Sequence, residues 1–267
     1  MAKIARISHL QEFKDTNRKF SCLTSYDQQT AEIFDEAGIN VLLVGDSAAE
    51  NALGLDSVLA ITVDEIIPLG RAVAGAAKSA LVVVDMPFGS YETSPEDALA
   101  NAMKIMKQTG AAAVKLEGGR RSSGQISRIV EAGIPVMGHI GFTPQSVHAL
   151  GGFKIQGRGE AADEILAEAL AVQEAGAFAV VLELVPAELA ARITKQLRIP
   201  TIGIGAGNET DGQILVWTDF AGLSGGKPRR FVREYMSLRA DLLDAAKRYA
   251  ADVESQNFPN QDESFSD

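Results

Sequence analysis

The sequence predicts an α/β protein, a single (β/α)8 TIM barrel, and three observations support this fold class. A helical pattern that ends at glycine and is followed by a short apolar run recurs along the chain. The runs are continuously apolar rather than alternating, as parallel strands covered on both faces require. Eight such strands with intervening crossovers favour a closed barrel over an open doubly wound sheet, and 267 residues suit one barrel of roughly 250 residues.

The apolar runs define the strands. Four of them follow a glycine that we expect to end a helix in the left-handed conformation, which glycine adopts without a steric penalty. These glycines are Gly38, Gly110, Gly133 and Gly176. The strands are expected, in chain order, near 21–26, 40–45, 80–85, 111–117, 135–139, 177–183, 200–205 and 214–219.

Helical patterns fill the intervals between most of these strands. They are expected at 28–37, 62–77, 94–109, 122–132, 160–175 and 186–197. Two have clear starts, because Thr62 and Glu65 resemble a capping box and Ser94 is followed by a proline in the first turn. The stretch 206–213 is too short for a full helix between the last two strands.

Beyond the barrel, residues 228–253 are expected to form one or two terminal helices, followed by a polar tail at 254–267. No linker with a shift in composition divides the chain. We therefore expect one domain, residues 1–267.

The charge balance restricts the possible partners. The chain has 25 basic and 35 acidic residues, a formal net charge of −10, so binding to nucleic acid or to a membrane surface is not expected. Its single cysteine, Cys22, fits a reducing compartment, and the first residues lack the apolar region of a signal peptide. These features predict a soluble cytoplasmic protein in which a metal or a lysine supplies the positive charge for any anionic substrate.

Charged or ionisable side chains end five consecutive strands, the second to the sixth. They are Asp46 with Ser47, Asp85, Lys115 with Glu117, His139, and Glu183. An isolated charge at the end of a buried strand is costly to desolvate, so each is either paired or functional. In a barrel of this kind the active site lies at the carboxyl ends of the strands. This series therefore marks a candidate active site.

Asp46, Asp85 and Glu117 supply three carboxylates from adjacent strands, a set of hard oxygen ligands that suits Mg²⁺. Lys115 and Glu117 are two residues apart on one strand, so both should face the barrel interior. Three roles stay open for Lys115: a Schiff-base amine, a clamp for an anion, or an ion-pair partner of Glu117. His139 is either a hydrogen-bonded interior histidine or a residue with a direct role.

Several segments resemble the ketopantoate hydroxymethyltransferase family. They are TSYD (24–27), LLVGDS (42–47), VVVDMPFGSY (82–91), AAAVKLEGG (111–119), GHIGFTPQS (138–146), GGFKIQGRG (151–159), VVLELVPAELA (180–190), IGIGAGNETDGQIL (202–215) and FPNQDESF (258–265). The resemblance runs from about residue 4 to 265, and the motifs occur in order. Phe220 and Ala221 stand in the reverse of the order that is usual in the family. The loop after Ser47 also departs from the family pattern, so the resemblance does not define the folate contacts in that loop.

The resemblance implies a barrel of the phosphoenolpyruvate/pyruvate superfamily. It also implies transfer of a hydroxymethyl group from 5,10-methylenetetrahydrofolate to 3-methyl-2-oxobutanoate, giving 2-dehydropantoate for pantothenate synthesis. By resemblance, one Mg²⁺ per subunit is bound by Asp46, Asp85 and Glu117, the last through water. By the same resemblance, the keto acid is contacted by Ser47, Asp85 and Lys115, and by Asp46 and His139 in the same motifs. Glu183 accepts the proton. The family forms homodecamers, so a homodecamer is expected.

Together these features predict an aldol-type addition through an enolate stabilised by magnesium. Two alternatives stay open. One is a related magnesium-dependent barrel lyase that splits a 2-oxo acid without folate. The other is a catalytically silent binding or assembly protein on the same barrel, against which the intact charged residues argue.

Overall fold

The computed structural model describes residues 5–265, and eight parallel strands form a closed barrel within it. Neighbouring strands pair in chain order, and β8 pairs with β1 to close the sheet. The strands are β1 (Phe20–Thr24), β2 (Val41–Val44), β3 (Leu81–Asp85), β4 (Ala113–Glu117), β5 (Val136–Gly141), β6 (Ala179–Glu183), β7 (Thr201–Ile204) and β8 (Gly212–Leu215). The predicted fold class is confirmed.

Helices cover the outside of the barrel between most of the strands. In the barrel part of the chain they are α1 (Ile7–Asp15), α2 (Gln28–Glu36), α3 (Ala48–Asn51), α4 (Val63–Ala76), α5 (Pro95–Thr109), α6 (Ser123–Glu131), α7 (Ala162–Glu174) and α8 (Ala187–Gln196). All six predicted helices are present, with ends within two residues of the prediction. As expected, β7 connects to β8 without a helix. Among residues 5–265, no helix combines the length and the apolar character needed to cross a membrane.

The helix starts follow the predicted capping chemistry. Thr62 and Glu65 form a capping box at the start of α4, in which each side chain hydrogen-bonds the backbone N–H of the other. Ser94 accepts a hydrogen bond from the backbone N–H of Asp97 at the start of α5, and Gly110 ends that helix with φ +76°. These bonds satisfy N–H groups that a helix otherwise leaves unpaired in its first turn.

The last strand differs from the prediction of 214–219. It starts two residues earlier, at Gly212, and ends at Leu215, and the chain then enters a short helix, α9 (Trp217–Phe220). Gly212 pairs with Phe20 of β1, and a Cβ at Gly212 would overlap the Phe20 ring. Glycine is read as a loop signal in a sequence, but here its lack of a side chain permits the pairing that closes the barrel.

Inward-facing side chains of the strands fill the barrel. This cluster has Leu10 of α1 at one end, and its other members are Phe20, Cys22, Val41, Leu43, Leu81, Val83, Ala113, Met137, Ala179, Val181, Ile202 and Ile214. Leu10 is fully buried, and Ile7 and Phe13 pack against the same cluster, so α1 covers the amino-terminal end of the barrel. Helix α1 is not among the helices predicted from the sequence. Its apolar residues recur every third residue, which was the available signal.

The chain divides into two compact units, one ending at Val216 and the other beginning at Trp217. The second unit contains α9 and α10 (Leu238–Glu254). The prediction of helix over 228–253 is wrong for 228–237, which are not helical. In this segment the helix begins only at Leu238, and Pro228 lacks the N–H that a helix interior needs. No residue of α10 is buried.

Candidate active site

The side chains singled out at the strand ends come together at the carboxyl end of the barrel. Asp85, Glu117 and Glu183 are the last residues of β3, β4 and β6. The other members are Asp46, which follows β2, Lys115 in β4 and His139 in β5. All six are buried, with between 1% and 8% of their surface exposed. Four of them, Asp85, Lys115, His139 and Glu183, come two residues after a member of the inner core, so they share its inward direction.

Lys115 forms an ion pair with Asp85, not with Glu117. The two residues are Cα partners on adjacent strands, and the Lys115 Nζ lies 2.5 Å from the Asp85 Oδ1. Burial acts to lower the pKa of Lys115, but the negative charges of Asp85, Asp46 and Glu117 outweigh it and raise the pKa above its ordinary value. An amine that forms a Schiff base must lose its proton, which these neighbours oppose. The geometry therefore favours a permanently charged lysine.

Asp46 is held directly beside this pair. Its backbone N–H donates to the Asp85 Oδ2 at 3.0 Å. Burial, and then the negative charges of Asp85 and Glu117, raise the pKa of Asp46 to about 8. One lysine ammonium thus faces three carboxylates in a space from which water is largely excluded. The negative charges of the three carboxylates therefore outnumber the positive charge of Lys115.

The donor set fits a hard divalent cation. Three carboxylates and no thiol are the ligands that Mg²⁺ prefers, and a cation would relieve the repulsion that raises the pKa of Asp46. In the part of the chain that the structure describes, no group of three or more Asp, Glu, His or Cys side chains is arranged to hold a metal ion by itself. A cation held here would need water or substrate oxygens for part of its shell, as Mg²⁺ does in many enzymes.

His139 lies between two carboxylates. Its Nδ1 is 3.4 Å from the Glu117 Oε1 and its Nε2 is 3.3 Å from the Glu183 Oε2, although neither contact has good hydrogen-bond geometry. Burial and the Lys115 charge act to lower the pKa of His139, but the two glutamates outweigh them and raise it to about 9. The imidazole therefore lies between the carboxylate cluster and Glu183.

Glu183 is followed by an unusual backbone conformation. Leu184 has φ +48°, in the left-handed region that a branched side chain rarely adopts. Its N–H donates to the carbonyl of Ile204 on β7, and the carbonyl of Glu183 accepts from the N–H of Phe142. A Cβ at Gly141 would overlap that carbonyl, so glycine is required there. Neighbouring strands on both sides thus hold the end of β6 in place.

Ser47 is held by an aromatic residue outside the predicted set. The Tyr26 hydroxyl lies 2.8 Å from the Ser47 Oγ, and Tyr26 is buried. A Cβ at Gly45 would lie 2.8 Å from that Oγ and 3.4 Å from the Asp85 Oδ2. The glycine before Asp46 therefore lets the loop after β2 pass close to β3.

Two further residues of the site, Gln145 and Tyr91, were not predicted as site residues. Both are buried, and they hydrogen-bond to each other and to Asp46 and Glu117. They belong to the segments GHIGFTPQS and VVVDMPFGSY, but neither is charged and neither ends a strand. A search based on charges at strand ends does not find them.

Comparison with known proteins identifies the family. The sequence model of ketopantoate hydroxymethyltransferase matches residues 4–261. A 3-methyl-2-oxobutanoate hydroxymethyltransferase of Leifsonia xyli is 60% identical over 98% of this chain and 95% of its own length. The protein of the same name from Corynebacterium efficiens is 60% identical over 99% of this chain and 98% of its own length. The one from Mycobacterium bovis is 57% identical over 97% of this chain and 92% of its own length.

Solved structures with the same fold are much more distant in sequence. A phosphonopyruvate hydrolase complexed with oxalate and Mg²⁺ has a TM-score of 0.63 at 12% identity, over 97% of this chain and 93% of its own. A 2,3-dimethylmalate lyase of the PEP mutase/isocitrate lyase superfamily has a TM-score of 0.61 at 15% identity, over 98% and 92%. These neighbours establish the barrel fold, whereas the family follows from the sequence match over nearly the whole chain. The chain belongs to the ketopantoate hydroxymethyltransferase family.

Proposed function

We propose that the protein transfers a hydroxymethyl group from 5,10-methylenetetrahydrofolate to 3-methyl-2-oxobutanoate, giving 2-dehydropantoate for pantothenate synthesis. The observation that carries this proposal is the convergence of the buried residues Asp46, Asp85, Lys115 and Glu183 in a chain 60% identical to enzymes named for this transfer. A negatively charged keto acid needs positive charge in an acidic protein, and this site has both a lysine and a carboxylate set suited to a cation.

Asp46 and Asp85 would hold one Mg²⁺ per subunit, and Glu117 would contact it through water. When bound, the ion supplies a Lewis acid that polarises the carboxylate and keto oxygens of the substrate. Asp85 would also keep its ion pair with the Lys115 Nζ.

The keto acid would be bound and oriented by Ser47 and Lys115 next to Asp46 and Asp85. The Lys115 ammonium faces the barrel interior and places a fixed positive charge beside the negative charge that develops on the substrate. Ser47 is oriented by Tyr26 and can donate a hydrogen bond to the substrate carboxylate. These charges pre-exist in a buried site, so little reorganisation is needed during the reaction.

Glu183 would remove the proton from C3 of the keto acid, with His139 as its orienting neighbour at 3.3 Å. The electron pair left at C3 then attacks the one-carbon unit of the folate. A new C–C bond forms as the first of the two bonds between that carbon and the folate nitrogens breaks. The second C–N bond breaks when a water molecule supplies the hydroxyl group. The two nitrogens take up the proton removed from C3 and one proton of that water, and tetrahydrofolate leaves. The folate must approach over the barrel mouth, past the loop that follows Ser47.

An assay of product formation tests this function. The purified protein should convert 3-methyl-2-oxobutanoate into 2-dehydropantoate, detected by mass spectrometry, only when both 5,10-methylenetetrahydrofolate and Mg²⁺ are present. Exhaustive chelation should stop the reaction, and added Mg²⁺ should restore it. Cleavage of a 2-oxo acid without the folate would instead identify a barrel lyase. A folded protein without activity on any keto acid would identify a silent binding protein.

We also propose that the chain folds as one domain over residues 1–267, acts in the cytoplasm and assembles as a homodecamer. Its apolar residues Leu242, Leu243, Tyr249 and Val253 on α10 are exposed, and such residues are commonly covered in oligomers. Sedimentation should give a mass ten times that of the 28.3-kDa chain. A monomer at micromolar concentration would contradict the assembly.

A further inference from the structure

Gln145 occupies a central position among the carboxylates, and nothing in the proposed chemistry yet uses it. It lies in a short turn, Pro144–Ser146, that follows β5, and it is buried. Its Nε2 donates to the Asp46 Oδ2 at 2.8 Å and to the backbone carbonyl of Met86 at 3.1 Å. Both N–H groups of the side-chain amide are therefore used, one on a proposed metal ligand and one on the residue after Asp85.

The rest of Gln145 is bound on its other sides. The Tyr91 hydroxyl donates to the Gln145 Oε1, and the backbone N–H of Gln145 donates to the Glu117 Oε2 at 3.1 Å. Tyr91 in turn accepts a hydrogen bond from the backbone N–H of Glu117 at 3.2 Å. With two acceptors facing Nε2 and a donor facing Oε1, only one orientation of the amide satisfies all its partners.

We propose that Gln145 is a positioning residue that holds Asp46 and Glu117 in place for the divalent cation. The inference rests on the metal site of the proposed function and extends it to a residue that does not touch the ion. The side chain of Gln145 binds only one of the two oxygens of Asp46, the Oδ2. Its backbone N–H also binds one oxygen of Glu117, so a single residue contacts a carboxylate from the loop after β2 and one from the end of β4.

An uncharged amide is suited to this position. A lysine there would neutralise Asp46 and compete with the cation, and a glutamate would add a further negative charge to a cluster that already repels itself. Glutamine donates hydrogen bonds without changing the charge of the site. Because hydrogen-bond partners of metal ligands act through the ligands, their loss weakens metal binding by about 10- to 100-fold in known metal sites.

The experiment measures binding of Mn²⁺ as the probe ion by electron paramagnetic resonance, with the full-length protein and no substrate. Gln145→Met keeps the length of the side chain and removes the amide, and its Kd for Mn²⁺ should rise by about 10- to 100-fold. Turnover should recover to within about threefold of the starting protein when Mn²⁺ exceeds the new Kd, because the groups that contact the substrate are unchanged. A merely structural defect would lower turnover at every metal concentration.

Gln213→Met is the matched control, because Gln213 also uses its Nε2 for two hydrogen bonds, to the carbonyl of Gly207 and to the Thr210 Oγ1. Its Kd should equal that of the starting protein. If Gln145→Met fails to fold, Gln145→Asn replaces it, since an amide one methylene shorter cannot span Asp46 and Tyr91 and should also bind Mn²⁺ more weakly. If a folded Gln145 variant binds Mn²⁺ with unchanged affinity, the positioning role of Gln145 is overturned but the proposed metal site is not. Absence of Mn²⁺ binding in the starting protein would overturn it together with the metal site.

Discussion

Replacing Glu183 with glutamine is expected to slow exchange of the C3 hydrogen of 3-methyl-2-oxobutanoate in D2O by about 100- to 10,000-fold, the usual effect of losing a general base. Glutamine keeps the size of the side chain but cannot accept the proton. Removal of this proton precedes any contact with the one-carbon unit, so the exchange should proceed in the starting protein with Mg²⁺ and keto acid alone. Proton NMR follows the loss of the C3 signal.

The control for this experiment is Glu188→Gln, the same change at an exposed glutamate on α8. It should exchange at the rate of the starting protein. If Glu183→Gln keeps that rate while product formation stops, Glu183 acts later, in the steps that involve the folate. His139 would then be the next candidate for the base, because it contacts Glu183 from the barrel interior.

The second large effect is expected when Asp46 or Asp85 is replaced by asparagine. Both replacements should abolish most of the activity, but they should change the stability of the protein in opposite directions. Asp46→Asn and Asp85→Asn should each reduce product formation by about 1,000-fold or more, since the bound ion contributes several kcal/mol of charge stabilisation. Asp85→Asn leaves the buried Lys115 without its partner, which should lower the free energy of unfolding by about 3–5 kcal/mol. Asp46→Asn removes one of three repelling carboxylates, so the metal-free variant should be at least as stable as the starting protein.

Thermal and denaturant unfolding of the chelator-treated proteins measures these differences, and product formation at saturating Mg²⁺ measures the activity. Asp64→Asn is a suitable control, because Asp64 pairs with Lys104 on the exposed surface and should change neither quantity strongly. Comparable destabilisation by both active-site variants would show that Asp46 is held by favourable contacts that exceed the repulsion. Full activity of either variant would exclude its carboxylate as a metal ligand.

Much of the architecture is readable from the chain itself. Continuous apolar runs such as the one before Asp85 indicate strands covered on both faces, and helix-ending glycines such as Gly110 separate them from the helices. Period-two alternation then places Lys115 and Glu117 on the inner face together. Local pattern misleads at β8, where Gly212 suggests a loop but belongs to the strand. At α1 the many polar residues obscure the spacing of the three apolar ones.

The sequence by itself determined the barrel, the family and the side chains that end the strands, because each depends on local pattern or on motifs read in order. Only the tertiary structure decided how those side chains pair. Lys115 contacts Asp85 across a strand boundary rather than Glu117 on its own strand, since partners are set by the register between strands. Gln145 reaches Asp46 from 99 positions away in the sequence, and an uncharged residue carries no local sign of such a contact. Distances across a closed sheet exist only once the chain has folded, so the connections within the site could not be read from the sequence.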